Sequence, residues 1–181
     1  LTDAGWEIVE TDCPPFREPA RLQAQLWLAE FRRTGAKTLV EEADPDATFV
    51  YAQMERLCPA PDLDAVLDAL QSRATLLRQW ELFLQQYPVL ICPVSAEVPF
   101  PDLDDVRSPQ SFERIMEAQL TQVGLPLMGL PGLSVCTDRS DNVPCGAQLI
   151  GGRYREDVLL AAAEEIEARS PRIEVVDPST S

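Results

Sequence analysis

The sequence predicts an α/β fold formed by a single unit over residues 1–181. Segments with helical periodicity alternate with short apolar runs, and no internal repeat or low-complexity linker separates them. Because 45% of the residues are apolar, a chain of this length can bury one hydrophobic core. Only three or four strands are predicted, so we expect the unit to be incomplete and its sheet to need further strands.

The first third of the chain is predicted to be mainly helical. Apolar and polar residues alternate over Trp6–Glu10, which predicts a strand. Apolar residues recur at helical spacing over Glu18–Phe31, and Thr48–Leu57 is predicted to form another short helix. The polar, acidic stretch 34–46 between them is predicted to be a loop or a short helix.

The longest predicted helix covers Leu63–Tyr87, with Asp62 as its N-cap and Pro88 as its stop. Its predicted inner face is formed by Val66, Leu70, Ala74, Leu77, Trp80 and Leu84. The apolar run Val89–Cys92 follows, and its short length and β-branched residues predict a strand that is buried on both faces.

The last part of the chain is predicted to contain two helices and a hairpin. After the proline-rich loop 93–101, Ser108-Pro109 begins a helix that Gly124, with a left-handed conformation, is expected to end. Strands are predicted over Leu133–Thr137 and Ala147–Ile150, joined by a loop over 138–142. The final helix is predicted over Glu156–Ala168, and the tail contains a short apolar stretch over Ile173–Val176.

The charge balance argues against a nucleic-acid partner. With 30 acidic and 15 basic residues, the formal net charge is −15, which repels phosphate backbones. The acids are spread along the chain, and Asp102, Asp104 and Asp105 are predicted to lie in a solvated loop because they lack the glycine and distal glutamate of a calcium loop.

The sequence also predicts a soluble, cytoplasmic protein with no membrane contact. No stretch reaches the length of about 18 apolar residues that crosses a bilayer. The five cysteines are odd in number and form no C-x-x-C pair, so we expect buried, reduced thiols.

The residue types that carry hydrolytic chemistry are scarce. The chain has no histidine, which excludes Ser-His-Asp and Cys-His pairs and histidine-bound zinc within it. Its single lysine, Lys37, lies in a polar stretch that lacks the apolar surroundings a buried, neutral lysine base would need. Gly151-Gly152 lacks the following lysine of a phosphate loop. We therefore predict no catalytic residue, no metal and no cofactor in this chain.

Three segments in order resemble the amidase signature family. They are an aromatic-bearing helix that leads into Tyr87-Pro88-Val89-Leu90-Ile91-Cys92-Pro93, then Gly124-Leu125-Pro126 with Pro131-Gly132, and finally Val143-Pro144-Cys145-Gly146-Ala147-Gln148-Leu149-Ile150-Gly151. The resemblance is strongest over residues 65–167. It implies the C-terminal portion of a layered α/β/α fold with a mixed central sheet. Each residue also has a structural role of its own: Gly146 permits close backbone approach, and Gln148 needs a hydrogen-bond partner if it is buried.

The resemblance further implies amide hydrolysis by a Ser–cis-Ser–Lys triad, in which a neutral lysine activates the nucleophilic serine through the second serine. The triad belongs to the N-terminal half of family members, and this chain has no adjacent serine pair to supply it. The chain begins inside what is predicted to be the end of a helix, so we expect that the half with the triad precedes Leu1. Thr121-Gln122-Val123 stands where the family often has an asparagine, which leaves the substrate open.

Loops at strand ends line pockets in open α/β sheets, so the loop after Val89–Cys92 is the candidate pocket wall. Val94 and Ser95 lie next to the strand end, and Phe100 and Met128 are candidate apolar contacts. For each of these four residues, a structural role is the favoured alternative.

Three hypotheses follow: part of an amidase that cleaves a small or aromatic carboxamide, the A-type subunit of a glutamyl-tRNA(Gln) amidotransferase, or a non-catalytic interaction module. A small-molecule amide is the expected partner once the N-terminal half is present, and a homo-oligomer remains open.

Overall fold

The computed structural model describes residues 1–140 and 143–171. A single 3₁₀ turn (Thr2–Ala4) is the first element. The helices α1 (Arg17–Thr34), α2 (Ala36–Glu42), α3 (Pro45–Leu57) and α4 (Leu63–Gln86) come next, and β1 (Val89–Pro93) follows. Three consecutive helices come next, namely α5 (Pro109–Ala118), α6 (Leu120–Val123) and α7 (Leu125–Met128). The hairpin β2 (Gly132–Ser140) and β3 (Val143–Gly151) then leads into α8 (Glu156–Glu167). The predicted apolar stretch Ile173–Val176 lies outside the described residues.

Helix α4 has the predicted ends but a different inner face. The Asp62 carboxylate accepts a hydrogen bond from the backbone N–H of Ala65 at 2.8 Å, as expected of an N-cap. Trp80 and Leu84 are buried as predicted, but the rest of the buried face is Ala69 and Leu76. The prediction for Leu70 and Ala74 was wrong: both are exposed. The helix carries apolar residues on more than one face, and its spacing alone does not show which of them meets the core.

The three described strands form an antiparallel sheet in the order β1-β3-β2. Ile91 and Leu133 both lie opposite Leu149. The prediction that Val89–Cys92 is buried on both faces was wrong, because β1 is an edge strand in the described residues and Ile91 is 40% exposed. The described part therefore holds only antiparallel pairs of the mixed sheet that the sequence predicts.

Helices cover both faces of this sheet, which confirms the layered α/β fold. On one face, Leu159 and Ala162 of α8 pack against Leu149. On the other face, Trp80 of α4 and Met128 of α7 belong to a buried cluster with Leu125, Leu130 and Ile150. Burying these side chains contributes roughly 1.5–3 kcal/mol each, so the two clusters are the main stabilising contacts between layers.

The segment Trp6–Glu10 is not a strand, which corrects the prediction. Within the described residues, 7–12 make no backbone–backbone hydrogen bond to any other segment. Ile8 and Val9 are 54% and 49% exposed. The alternation of apolar and polar residues is present, but the described chain supplies no neighbouring strand.

The helix predicted from Ser108-Pro109 begins as expected and is broken earlier than expected. The Ser108 hydroxyl accepts a hydrogen bond from the backbone N–H of Ser111 at 3.1 Å. Gly124 does not use a left-handed conformation, since its φ is −82°. A Cβ there would lie 2.6 Å from Cβ of Pro19, so glycine is required because α1 packs against this turn.

The hairpin is confirmed, and its strands are longer than predicted. Asp138–Ser140 belong to β2, and a bulge lies between Cys136 and Asp138. Residues 141 and 142 of the predicted loop lie outside the described residues. Among the described helices, none is both long and apolar enough to cross a bilayer.

Candidate functional site

A cavity of about 640 Å³ lies at the carboxyl end of β1, and we call it the β1-end cavity. One wall is the loop that follows β1, with Val94, Ser95 and Phe100. The opposite wall is the hairpin around its bulge, and the α5–α6 turn closes a third side. The hairpin and turn residues are Ser134, Val135, Cys136, Pro144, Cys145, Gly146, Gln119 and Gln122. Three of the four predicted pocket residues are therefore brought together.

Hydrogen bonds from α6 fix the start of this loop. The carbonyl oxygen of Val94 accepts from the Thr121 hydroxyl at 2.9 Å and from Nε2 of Gln122 at 2.6 Å. The backbone N–H of Ala96 donates to the carbonyl of Ala118 at 2.9 Å. Thr121 and Gln122 lie in the stretch where the family often has an asparagine and this chain does not. This difference in sequence is the signal that could have pointed to the two residues that hold the loop.

Arg114 on α5 fixes the middle of the loop. Its guanidinium forms ion pairs with Glu97 and with Asp104, and its Cζ lies 5.6 Å from the centroid of the Phe100 ring. Asp104 is only 5% exposed, which corrects the prediction of a solvated acid. A buried carboxylate needs a partner, and Arg114 supplies the charge and the hydrogen bond. Arg107 adds a longer contact of 3.5 Å.

The strand β3 carries one buried polar side chain beside the cavity. Gln148 is 5% exposed, and its Nε2 donates to the carbonyl of Thr121 at 2.7 Å, so the predicted partner is present. Nε2 also lies 3.8 Å from the sulfur of Cys92. Burial raises the pKa of the Cys92 thiol, so this thiol stays protonated and unreactive at neutral pH.

Met128 does not line the β1-end cavity, and we remove it from the candidate set. Its side chain is fully buried in the cluster between α4 and the sheet. The short helix α7 directs Met128 toward the core, which sequence proximity to Gly124-Leu125-Pro126 does not show. A second correction concerns the cysteines, which were predicted to be buried: Cys136 is exposed at this cavity and the other four are half-buried, and all five thiols are free.

The family of the chain follows from comparison with known proteins. The amidase family model matches residues 1–160, which is most of the chain. The chain belongs to the amidase family. Its β1-end cavity is therefore a feature of an amidase fold, and the resemblance seen in the three sequence segments is confirmed.

Curated amidase relatives are similar over most of this chain but are much longer. Indoleacetamide hydrolases of Bradyrhizobium diazoefficiens and Bradyrhizobium japonicum are 34% and 28% identical over 94% of the chain, which covers 33% and 37% of their lengths. A glutamyl-tRNA(Gln) amidotransferase subunit of a Cyanothece species is 28% identical over 94% of the chain and 40% of that protein. The chain spans about a third to two-fifths of these relatives.

Solved structures show the same fold at low identity. Allophanate hydrolase from Kluyveromyces lactis aligns with a TM-score of 0.70 over 99% of this chain and 32% of that one, at 22% identity. A 6-aminohexanoate cyclic dimer hydrolase aligns with a TM-score of 0.69 over 94% of this chain and 39% of that one, at 17% identity. The amidase fold of the described residues is thus shown independently of sequence similarity.

The lining of the β1-end cavity suits binding better than bond cleavage. The Ser95 hydroxyl lies 3.2 Å from the backbone N–H of Glu97 and accepts its hydrogen bond, and Glu97 is ion-paired with Arg114. Among the described residues, no lysine or histidine is hydrogen-bonded to the Ser95 hydroxyl to act as the base that an activated serine requires. Among residues 1–140 and 143–171, no group of three His, Cys, Asp or Glu side chains could hold a metal.

Proposed function

We propose that this chain is part of an amidase that hydrolyses a carboxamide to a carboxylic acid and ammonia. In this proposal the chain completes the sheet and forms one wall of the acyl-side pocket, while the Ser–cis-Ser–Lys triad comes from the rest of the protein. The observation that carries the proposal is the β1-end cavity, which joins Val94, Ser95 and Phe100 at a strand end in a chain of the amidase family.

The lining of the cavity defines the class of substrate. About 640 Å³ lies within the range of pockets that hold small organic molecules. Phe100 and Val98 offer apolar contact, while Gln119 and the Ser95 hydroxyl offer hydrogen bonds. A small amide with an apolar or aromatic acyl group fits this combination, and the relatives named as indoleacetamide hydrolases support the same class.

The exposed surfaces support a role within a larger protein. The edge of β1 that is unpaired among the described residues and the segment 7–11 line one cavity of about 750 Å³, together with Trp6 and Tyr87. Unpaired strand edges are normally covered in native proteins. A sheet that continues into the rest of the protein would satisfy both segments. Five free cysteines support a reducing, cytoplasmic setting.

A second candidate function is that of the A-type subunit of a glutamyl-tRNA(Gln) amidotransferase. It rests on the 28% identity over 94% of the chain with the Cyanothece protein of that name. The two functions differ in a measurable requirement, since an amidotransferase subunit needs its partner subunits and aminoacyl-tRNA, whereas an amidase hydrolyses a free carboxamide alone. A non-catalytic module would neither hydrolyse a free carboxamide nor act on aminoacyl-tRNA with partner subunits.

The proposal is tested by assaying ammonia release from a panel of small carboxamides. We expect no turnover by the 181-residue chain and turnover by the protein at its full coded length. In the active form, Phe100→Ala should lower kcat/KM by about tenfold for amides with bulky acyl groups, because apolar contact at the acyl side is lost. The same variant should affect acetamide-sized substrates little.

Leu103→Ala is the matched control because Leu103 lies on the same loop, is 57% exposed and does not line the cavity. Turnover by the isolated chain that persists through further purification would contradict the division of roles. Equal kinetics for Phe100→Ala and Leu103→Ala across the panel would remove the cavity from the substrate pocket.

A further inference from the structure

A second cavity of about 640 Å³ lies on the opposite side of α5 and α6 from the β1-end cavity, and we call it the α1–α5 cavity. Its walls come from α1, α3, α5, α6, the start of α4 and the segment before it. The apolar side chains that define it are Ala20, Ala24, Leu28, Met54, Phe112 and Met116. Nothing in the proposed amide chemistry uses this space.

The spacing of small side chains explains why the helices leave this space open. Ala20, Ala24 and Leu28 recur every four residues on α1, so they lie along one ridge of the helix. Phe112 and Met116 have the same spacing on α5. Ala20, Leu28 and Phe112 are buried, whereas Ala24 and Met116 between them are only half-buried. The space therefore lies beside Ala24, because the small side chain of this residue does not reach from α1 to the facing helix α5.

Every charged side chain at the α1–α5 cavity is already paired. Arg17 on α1 forms an ion pair with Glu117 on α5, and Arg21 pairs with Glu18 at 2.7 Å. Glu113 on α5 pairs with Arg56 on α3. The remaining amide, Gln25, donates from Nε2 to the carbonyl of Ala65 at 3.1 Å.

One thiol, that of the half-buried Cys58, also lies at this cavity. Burial raises the pKa of the Cys58 thiol at this cavity, even though Arg32 and Arg21 act in the opposite direction. The two ion pairs that join α5 to α1 and α3 involve side chains that are 48–69% exposed. Exposed pairs of this kind contribute little stability, so they can separate to admit a molecule.

We propose that the α1–α5 cavity binds a neutral small molecule with an aromatic or branched apolar body. The volume fits a molecule of this size, the lining gives apolar contact from several segments, and the paired charges leave no group that would select a charged ligand. This site is separate from the proposed amide pocket, because the side chains of α5 and α6 divide between the two cavities.

The methionines allow a direct test. The chain has three, of which Met54 and Met116 line the α1–α5 cavity while Met128 is buried in the core. The protein is labelled with ¹³C at the methionine methyl groups, and the three signals are assigned by single Met→Leu substitutions. N-phenyl-1-naphthylamine, a neutral aromatic probe, is then titrated. The Met54 and Met116 signals should shift together with one Kd, and the Met128 signal should stay in place.

A space-filling variant with a matched control checks the location. Ala24→Leu should weaken probe binding by about tenfold, because the added side chain takes the space of the probe. Ala161→Leu places the same change on the exposed face of α8 and should bind as the unchanged protein does. If Ala24→Leu fails to fold, the methyl shifts of the unchanged protein decide alone.

Three results would overturn the proposal. One is the absence of any saturable shift at Met54 and Met116. Another is a common shift of all three methyl signals, which indicates unspecific binding. The third is loss of probe binding in the protein at its full coded length, which would mean that the rest of the polypeptide fills the cavity. None of these three results tests amide hydrolysis. The proposed ligand site and the proposed amidase function can therefore be refuted independently of each other.

Discussion

Gly146 lies where β3 passes closest to the backbone of β2. It pairs with Cys136 in the sheet, and a Cβ at this position would lie 2.5 Å from the carbonyl oxygen of Val135. Backbone atoms cannot move aside as the end of a flexible side chain can. The glycine therefore keeps the two strands in register at the wall of the β1-end cavity.

We predict that Gly146→Ala lowers the free energy of unfolding by about 1–3 kcal/mol, because the strands must separate locally. Gly152→Ala is the matched control, since a Cβ there would meet only Arg155 Cγ at 3.9 Å and Leu84 Cβ at 4.0 Å, which are ordinary contacts. Urea unfolding of both variants measures the difference. Equal stability of the two would show that the approach at Gly146 is not a constraint.

Single residues also show how far the sequence determines the site. Val94 and Ser95 could be placed at the cavity because they directly follow a predicted strand, and strand ends line pockets. Met128 could not be placed, because only the packing of α7 against α4 decides that it points into the core. The burial of Asp104 likewise depends on Arg114, ten residues away on another element.

At the scale of elements, one arginine of α5 holds the loop over 94–108. Arg114 contacts Glu97, Phe100 and Asp104, so the loop is fixed at three points along its length. Loops that line binding sites are usually the least stable parts of a fold unless such contacts restrain them. The shape of the β1-end cavity thus depends on this side chain although the side chain lies behind the loop.

We predict that Arg114→Gln destabilises the protein by about 1–3 kcal/mol and increases proteolytic cleavage within 94–108, because the buried Asp104 loses its main partner. Arg107→Gln removes the other, longer contact of Asp104, and Arg107 is 79% exposed, so little change is expected. Limited proteolysis followed by mass spectrometry locates the cleavage. Similar cleavage of the two variants would contradict this role for Arg114.

Helix α4 shows why elements are easier to predict than their packing. Its ends follow from local chemistry, an aspartate cap and a proline stop, and both are found where predicted. Its inner face depends on neighbouring elements, and the helix carries a second apolar row in which Leu63, Leu67 and Leu70 are 71%, 54% and 47% exposed. The spacing of apolar residues shows how many apolar faces a helix has. It does not show which of these faces is buried in the fold.

At the scale of the whole molecule, the described sheet has two edge strands, β1 and β2, and the edge at β1 lies beside the N-terminal segment. β3 is paired on both edges, whereas β1 is paired only with β3 among the described residues. Residues 7–11 line the adjacent cavity and make no backbone–backbone hydrogen bond within the part of the chain that the structure describes. The alternation in Trp6–Glu10 predicted a strand, and that prediction was wrong for the described residues, in which no strand lies beside this segment.

We predict that a strand from the rest of the protein pairs with β1 and with the segment 7–12. Amide hydrogen exchange of both segments should then be slower by about tenfold or more in the protein at its full coded length than in the 181-residue chain. The amides of Leu149 and Ile150 are the internal control, because both residues lie in the central strand and are already buried in the 181-residue chain.

If protection of the β1 amides from exchange grows with the concentration of the isolated chain, a second copy of the chain covers the edge instead. Equal exchange in both forms at all concentrations would contradict any strand addition, because an added strand must satisfy backbone groups that otherwise exchange with water.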